Sequence, residues 1–319
     1  MRRIVRAEAI CLRVQDYHES SKLVTFFTLE HGKVSCLAKG ARRLKNKFGA
    51  ALDLFAQSRL IYYSHETRTL LTLSDAELVH SFASLALVPE RFLAAEQMAE
   101  FALRVIQPHD PSPQLYRLLL NYLTTLESLQ SPVCSPQYPG PANLVSRSPS
   151  PTSLLSSPCP ALVCSFLLKA ASFLGFRPEL RRCLICRRPI EGSRPAYFES
   201  GRGGIICPRC AGDNPRGTRL EPAGLDTLAF LLYTPAAEIA RVFSAGPQPA
   251  IDAQRRPEQA KRVEGPLRRD PSTSLGATVD TVVCNLQSPL DLVLGFLGHH
   301  FDPLVLNSFH WHARLERNV

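Results

Sequence analysis

The pattern of apolar positions changes near residue 89, where short alternating runs give way to longer runs with helical spacing. Before that point, residues 7–12, 23–29, 34–38, 52–63 and 69–73 are rich in alternating, β-branched or aromatic residues, as strands are. About five short strands within residues 1–80 predict a small barrel of the OB-fold type. Periodicity alone equally allows an SH3-like barrel or a split hairpin sheet.

Beyond residue 89 the apolar residues recur at the spacing of amphipathic helices. The pattern predicts helices over residues 91–106, 114–129, 161–176, 221–233 and 290–317. Pro178 marks the end of the third helix, because proline cannot continue one. We therefore expect an α+β, multidomain protein: an OB-fold β-barrel domain over residues 1–80, followed by a mostly α-helical domain over residues 81–319.

Two segments interrupt the helical pattern. Residues 131–160 contain eight prolines and eight serines, too little apolar content to offset the entropy of ordering them. Residues 245–278 combine prolines with arginines and lysines, which favours a solvated linker over a DNA-contacting one. Both segments are predicted to be disordered loops.

The net charge is +9, and one concentration of basic residues lies between residues 33 and 47, a window without any acidic residue. We call residues 39–47 the basic loop. A cationic groove with aromatic faces is typical of proteins that bind single-stranded nucleic acid, and solvated charge is the plainer alternative. The predicted phosphate-binding residues are Lys39, Arg42, Arg43, Lys45 and Lys47, with Lys33 in the same window. Phe48 and Tyr62 or Tyr63 are possible stacking faces, but an aromatic residue in a small barrel more often belongs to the core. Arg13 and Lys22 on neighbouring strands could extend the groove.

Four of the ten cysteines form two C-x-x-C pairs separated by twenty residues. They are Cys183, Cys186, Cys207 and Cys210. This spacing predicts one tetrahedral Zn²⁺ per chain in a zinc finger over residues 177–215, and a shell of four thiolates leaves no open position for chemistry. The zinc is therefore expected to be structural. The remaining cysteines are scattered, which suits a reducing compartment.

A second concentration of basic residues surrounds these cysteines. It consists of Arg181, Arg182, Arg187, Arg188 and Arg209, which we call the finger arginines. They could bind a second DNA strand or form a platform for a protein partner, and a solvated, solubilising surface is the third possibility.

Several enzyme classes are disfavoured by missing motifs. The chain has no G-x-x-x-x-G-K-[ST] loop, no G-x-S-x-G elbow, no H-E-x-x-H helix and no H-x-E element of a nucleobase deaminase. The paired histidines at 299–300 and 310–312 are too close in sequence to share a helix face. No long apolar run and no secretory h-region occur, so we expect a cytoplasmic, non-enzymatic protein without a membrane partner.

Several short segments, taken with this order of domains, resemble the RecO family of bacterial DNA repair proteins. In the barrel they are residues 8–12 (EAICL), 19–23 (ESSKL), 29–33 (LEHGK) and 38–43 (AKGARR). In the helical part, residues 166–169 (FLLK) and 174–178 (LGFRP) lead into Cys183, as the helix of the family leads into its zinc finger. The proline-rich segments are longer than expected for that family.

The resemblance implies a recombination mediator without catalytic chemistry. Such a protein would bind single- and double-stranded DNA and anneal strands coated with single-strand-binding protein. With RecR it would promote loading of RecA, which is thus an indirect partner, and association with the nucleoid is implied. The acidic C-terminal tail of single-strand-binding protein is a further expected partner. The alternative is a zinc-stabilised adaptor that binds acidic tails of partner proteins and has only generic DNA affinity.

Overall fold

Five strands at the N-terminal end close into a barrel in the computed structural model, which describes residues 3–64, 70–129, 158–190, 194–212, 217–244 and 287–301. The strands are β1 (Arg3–Tyr17), β2 (Ser21–Thr28), β3 (Gly32–Ala38), β4 (Gln57–Ser64) and β5 (Leu70–His80). Their order is β1-β2-β3-β5-β4, and pairing of β1 with β4 closes the ring. This architecture confirms the predicted OB-fold class.

Alternation along the strands fills the barrel interior. The inward positions of β1 are small, including Ala7, Ala9 and Cys11, which leaves room for the ring of Phe26 from β2. Strands β3 and β5 pair in parallel, whereas every other neighbouring pair in the barrel is antiparallel. The barrel therefore has its own core.

The prediction of a continuous strand over residues 52–63 is wrong in its first half. Residues Gly49–Leu52 form a short 3-10 helix, and Phe55 has a positive φ of 67°, so the chain turns before β4 begins. The buried hydroxyl of Ser58 donates to the carbonyl of Ala51 at 2.9 Å and fixes that turn. The apolar residues here pack across the barrel end, which periodicity cannot distinguish from a strand.

Seven helices follow in the described part of the chain. They are α1 (Pro89–Val105), α2 (Pro113–Ser128), α3 (Pro158–Phe173), α4 (Pro208–Ala211), α5 (Pro222–Tyr233), α6 (Ala236–Ser244) and α7 (Gln287–His300). Helix α3 starts inside the segment predicted to be a disordered loop. It ends three residues before the predicted end, because Gly175 adopts a φ of 92° and the N–H of Phe176 donates to the carbonyl of Ala171. Residues 131–157, 245–278 and 302–317 of the predicted loops and last helix lie outside the described residues.

Helix α3 is the centre of the helical domain. It packs against α1, α2, α5, α6 and α7. Cys164, Phe166 and Leu167 on successive faces are all fully buried, as expected for a helix that is apolar all round. Sequence periodicity detected this helix but not α6, which is short.

The barrel is fixed rigidly against the helices. Phe27 points outward from β2 and meets Tyr116 of α2 edge-on, with ring centroids 5.4 Å apart. Nζ of Lys33 donates to the carbonyl of Leu103 at 3.1 Å. Gly32 lies so close to the α1–α2 connection that an added Cβ would sit 2.3 Å from the carbonyl oxygen of Asp110. These contacts hold the barrel and helices in one orientation.

The cysteine-containing segment forms a small sheet between α3 and α5. Its strands are β6 (Ala196–Glu199), β7 (Gly204–Ile206) and β8 (Thr218–Leu220), in the order β7-β6-β8. Phe198 packs against Phe296 of α7 with ring centroids 6.0 Å apart. Nε2 of His300 lies 3.1 Å from the carbonyl oxygen of Ser200. We call this sheet, its flanking turns and α4 the finger. Within the described residues, no helix has the length and apolar character needed to span a membrane.

Candidate metal centre and nucleic-acid interface

The four predicted metal ligands converge in the finger. One cysteine Sγ atom from each of the four positions lies within 4.8 Å of all the others. Sγ of Cys186 and Sγ of Cys207 are 3.8 Å apart. Metal–sulfur bonds of about 2.3 Å in a tetrahedron place sulfur atoms about 3.8 Å apart, so this separation fits a tetrahedral ion. The fold therefore builds a cluster that could hold one metal ion.

Backbone hydrogen bonds shape the two turns that carry these sulfurs. In the first, the N–H of Arg187 donates to the carbonyl of Cys183 at 2.9 Å, and Arg187 takes a positive φ of 60°. In the second, Cys207 precedes α4, and its carbonyl accepts the N–H of Cys210 at 3.0 Å. The N–H of Cys207 also donates to Sγ of Cys183 at 3.4 Å, which joins the two turns.

The electrostatics of the cluster favour a bound cation. Burial raises the pKa of Cys183, but hydrogen bonds from the backbone of Cys186, Cys207 and Ile185 outweigh burial and lower the pKa to about 6. Hydrogen bonding to the sulfurs of Cys207 and Cys186 raises the pKa of Cys210 to about 12. Four adjacent sulfurs cannot all be thiolates unless a cation balances them, and thiolates are the metal-binding form. Four thiolates suit a soft divalent ion in a closed, structural shell.

Three of the five cations predicted in the basic loop have exposed side chains without an ion pair in the part of the chain that the structure describes. They are Lys39, Arg43 and Lys45. Gly40 has a φ of 74°, and the N–H of Arg43 donates to its carbonyl at 3.1 Å, so the loop begins with a tight turn. Oδ1 of Asn46 then accepts the N–H of Gly49 at 2.8 Å and ends it. The loop is therefore an ordered turn that presents charge.

The other two predicted cations also serve the protein itself. Nε of Arg42 lies 3.5 Å from a carboxylate oxygen of Asp16, and its guanidinium donates to the carbonyl of His18 at 3.0 Å. Nζ of Lys47 donates to the carbonyl of Ser74. Arg42 thereby fixes the basic loop to the turn between β1 and β2. Sequence charge alone could not separate these two residues from the free ones.

Two of the three candidate stacking residues lie in the core instead, which was the alternative role. Phe48 is 4% exposed and Tyr62 is 3% exposed, and both belong to the barrel core, because inward positions of a small barrel take large apolar rings. Tyr63 is half-buried on β4. Lys33, from the same basic window, donates a hydrogen bond to the carbonyl of Leu103 at the contact between the domains, and burial lowers the pKa of Lys33.

An aromatic pair that the sequence pattern did not reveal lies beside the basic loop. Tyr17 ends β1, is 40% exposed, and meets the ring of His18 with centroids 4.2 Å apart. Because Arg42 binds the carbonyl of His18, this pair and the loop form one surface. The available signal was an aromatic residue in a turn between two strand patterns. In OB-folds the loop between strands 1 and 2 is a common site for oligonucleotides.

The register of the barrel places the two further candidate cations near this surface. Lys22 lies opposite Asp16 on β1 and opposite Ala38 on β3, immediately before the basic loop. Arg13 is exposed on β1 and pairs with Thr25. Their DNA-binding role stays a prediction.

The finger arginines are all exposed and surround the cysteine cluster. None of the five forms an ion pair with a carboxylate among the residues that the structure describes. By contrast, Arg202 and Arg219 in the same sheet region pair with Glu199 and Glu221. The finger arginines are therefore available to an external anion.

The chain matches two family models. The family described as "Recombination protein O N terminal" matches residues 1–82, and the one described as "Recombination protein O C terminal" matches residues 87–136 and 154–249. The DNA repair protein RecO of Anaeromyxobacter sp. (strain K) is 32% identical, with 72% of this chain and 78% of the relative covered. That of Anaeromyxobacter dehalogenans is 33% identical, with coverages of 70% and 76%. That of Symbiobacterium thermophilum is 31% identical, with coverages of 72% and 80%.

Proposed function

Because the chain belongs to the RecO family of DNA repair proteins, we propose that it is a mediator of DNA repair and homologous recombination. It binds single- and double-stranded DNA and anneals strands coated with single-strand-binding protein. With RecR it promotes RecA loading. The observation that supports this role best is the ordered basic loop of an OB-type barrel, with free cations next to an exposed Tyr17. The proposal includes no catalytic step and places the protein on the nucleoid in the cytoplasm.

The barrel surface binds DNA mainly through its phosphates. Lys39, Arg43 and Lys45 contact successive phosphates and release condensed counterions, so the affinity falls steeply with salt. Tyr17 offers a face on which one base stacks. Arg42 holds the loop against the β1–β2 turn, and its partly exposed guanidinium leaves N–H groups that can reach a further phosphate. Lys47 contributes less, since its ammonium group already donates to a carbonyl.

The cysteine cluster holds one structural Zn²⁺ per chain. Zn²⁺ suits four sulfur ligands in a tetrahedron, and when bound it supplies cross-linking of the two turns rather than chemistry. The cysteine side chains of both turns are the ligands, and backbone N–H groups orient them. The finger arginines, carried on these turns, form a platform for RecR or contact a second strand.

Annealing tests the proposed function. Complementary oligonucleotides, each coated with single-strand-binding protein, are mixed with the full-length protein at several salt concentrations, and duplex formation is followed over time. We expect annealing well above the protein-free rate that declines as salt increases. A rate equal to that of the coated strands alone, at every salt concentration, would remove the mediator role. Arg187→Glu with Arg188→Glu then tests the platform, which fails if both annealing and RecR binding remain unchanged.

A second candidate function is an adaptor that binds the acidic C-terminal tail of single-strand-binding protein. The unpaired finger arginines favour it, because such a surface attracts carboxylates as well as phosphates. This role can coexist with the first one. The effect of one double variant on the two ligands distinguishes these functions. Binding of the acidic tail should survive Arg43→Ala with Lys45→Ala, whereas DNA binding should be weakened.

A further inference from the structure

Two arginine side chains lie over the ring of an exposed tyrosine at the junction of α5 and the finger. Tyr233 is the last residue of α5 and is 37% exposed. The guanidinium carbon of Arg181 lies 4.3 Å from the centroid of the Tyr233 ring, and that of Arg177 lies 5.4 Å from it. Both arginines are exposed and come from the segment between α3 and the first cysteine turn. We call these three residues the Tyr233 platform.

The positive charge of the platform is not neutralised within the described residues. Neither Arg177 nor Arg181 forms an ion pair there. The nearby carboxylate of Glu179 does not form an ion pair with either guanidinium group. It accepts hydrogen bonds from the backbone N–H groups of Arg181 at 2.9 Å and Arg182 at 3.1 Å. Two guanidinium groups beside one ring repel each other, and an external anion would relieve that repulsion.

Hydrogen bonds fix the end of α5, which bears the tyrosine. The carbonyl of Thr234, the next residue, accepts a hydrogen bond from the buried end of Lys169. Lys169 also donates to the hydroxyl of Tyr122 at 3.0 Å, and the N–H of Thr234 donates to the carbonyl of Phe230 at 2.9 Å. The end of α5 is therefore fixed to α3 and α2. Because the backbone that bears Tyr233 is fixed in this way, it loses little entropy when a ligand binds there.

From these observations we infer that the Tyr233 platform is a second binding site for single-stranded DNA. An unpaired base stacks on the layer formed by the tyrosine ring and the planar guanidinium groups, and N–H groups of Arg177 and Arg181 hold the adjoining phosphates. Phe176, which precedes Arg177, packs against His300 and Phe301, each with ring centroids 5.0 Å from its own, so Tyr233 is the aromatic face that the site uses. The other finger arginines continue the cationic surface from Arg181.

The combination of groups selects single strands over other polyanions. Bases in a duplex are already stacked on each other, so a duplex can use the arginines but not the ring. An acidic peptide would likewise use the charges and leave the ring without a role. Aromatic stacking combined with a cationic surface is the recognition mode of single-strand binders.

This inference rests on the proposed function and deepens it. The basic loop belongs to the barrel, whereas the platform belongs to the helical domain and the finger. Because the domains are held in one orientation, two separate sites on one molecule could hold two strands, or two parts of one strand, at a fixed separation.

The test compares single- and double-stranded oligonucleotides of equal length by fluorescence anisotropy, with full-length, metal-loaded protein. We expect Tyr233→Ala to weaken binding of an oligothymidine by about 5- to 150-fold, the loss of one stacked base. Binding of the duplex should change by less than about twofold, as should both affinities in Tyr233→Phe, which keeps the ring. Should Tyr233→Ala fail to fold, Tyr233→Leu fills the same space without an aromatic face.

The charges are tested with a matched pair of double variants. The salt slope is the steepness with which the logarithm of the binding constant falls against the logarithm of the salt concentration. Arg177→Gln with Arg181→Gln should lower this slope for single-strand binding by about 1.4, or about 0.7 for each phosphate that is no longer neutralised. Arg219→Gln with Arg241→Gln removes the same charge from arginines that are paired with Glu221 and Glu238, and should leave the slope nearly unchanged.

The inference is wrong if Tyr233→Ala binds both DNA forms like the wild type or loses both equally. It is also wrong if the variant loses affinity only for an oligoglutamate peptide, which would make the platform a peptide site. Failure of the wild type itself to bind or anneal DNA would instead contradict the proposed function. The two failures are therefore distinguishable.

Discussion

In the basic loop, two of the five cations bind polar groups of the protein itself, whereas within the described residues the five finger arginines form no ion pair and one of them, Arg181, lies over the ring of Tyr233. Arg42 and Lys47 hold the loop in shape, and Lys39, Arg43 and Lys45 remain for a ligand. Similar charge densities in the sequence thus have different uses in the structure. Charge alone predicts a binding surface but overestimates how much of it is free.

The two regions also differ in what keeps them folded. The barrel has five hydrogen-bonded strands around an apolar interior. The finger has strands of three and four residues, and its cysteine cluster joins two turns across the sequence. Small domains with little core need a metal or another cross-link. We therefore expect the barrel surface to be independent of metal and the finger surface to depend on it.

Loss of the metal should have the largest effect. Cys183→Ser is expected to reduce bound zinc from one per chain to none, because three thiolates cannot close the shell. Elemental analysis measures the metal. Hydrogen exchange should become much faster over residues 180–220 while β1–β5 keep their protection.

The control is Cys36→Ser, which changes a buried cysteine of the barrel and leaves the cluster intact. That variant should keep its zinc. Uniform acceleration of exchange in the barrel and the finger of Cys183→Ser would contradict the separation of the two regions.

The junction that orients the barrel should be nearly as sensitive. Gly32 has a φ of 65°, and a Cβ at this position would clash with the carbonyl of Asp110. Gly32→Ala should therefore cost about 3 kcal/mol or more, through strain and displacement of the docked α1–α2 connection. Urea unfolding measures this cost. Gly49→Ala is the matched control, since Gly49 has a similar φ of 51° and open space around it. Equal destabilisation of the two variants would mean that the close approach at Gly32 is unimportant.

A smaller effect concerns DNA binding by the basic loop. Arg43→Ala with Lys45→Ala should reduce the salt slope of single-strand binding by about 1.4 without lowering the melting temperature, because both side chains are free. The control is Arg59→Ala. It removes an exposed charge on β4 that is paired with Glu77 of β5 at 3.6 Å, and it should leave the slope unchanged. An unchanged slope in the loop variant would place the phosphate-binding residues elsewhere.

The same comparison can be made within the loop. Arg42→Ala should also lower stability, by about 0.5–1.5 kcal/mol, because it breaks the hydrogen bond to the carbonyl of His18. Urea unfolding of this variant beside Arg43→Ala measures the difference. A variant that weakens DNA binding without any decrease in stability would show that Arg42 is as free as Arg43.

The last prediction concerns a cation that is half-buried rather than free. Burial lowers the pKa of Lys169 from 10.5 to about 8. Between these pH values the unfolded chain binds more protons than the folded one, so stability should rise with pH from about 8 to 10.5. Lys169→Met should lack this rise, as measured by urea midpoints relative to the wild type. Parallel pH profiles of the two proteins would contradict the assignment.

The sequence predicted the barrel, the main helices and the four cysteines, because alternation, helical spacing and C-x-x-C pairs are local signals. It misplaced the residues before β4, where apolar side chains close the barrel end without forming a strand. It left two roles open for Phe48 and Tyr62, stacking face or core ring, since local sequence does not show which face of a closed barrel a ring occupies. Tyr17 became visible only when the fold placed it beside the turn that Arg42 holds, and Tyr233 only when the fold placed two arginines over its ring.

The most direct test of the mediator role compares annealing rates of strands coated with single-strand-binding protein for three proteins: the wild type, the basic-loop variant Arg43→Ala with Lys45→Ala, and the paired-charge control Arg59→Ala. We predict that the wild type and the control anneal at the same fast, salt-sensitive rate and that the loop variant is clearly slower. A loop variant as fast as the wild type, or a wild type no faster than the strands alone, would contradict the mediator role.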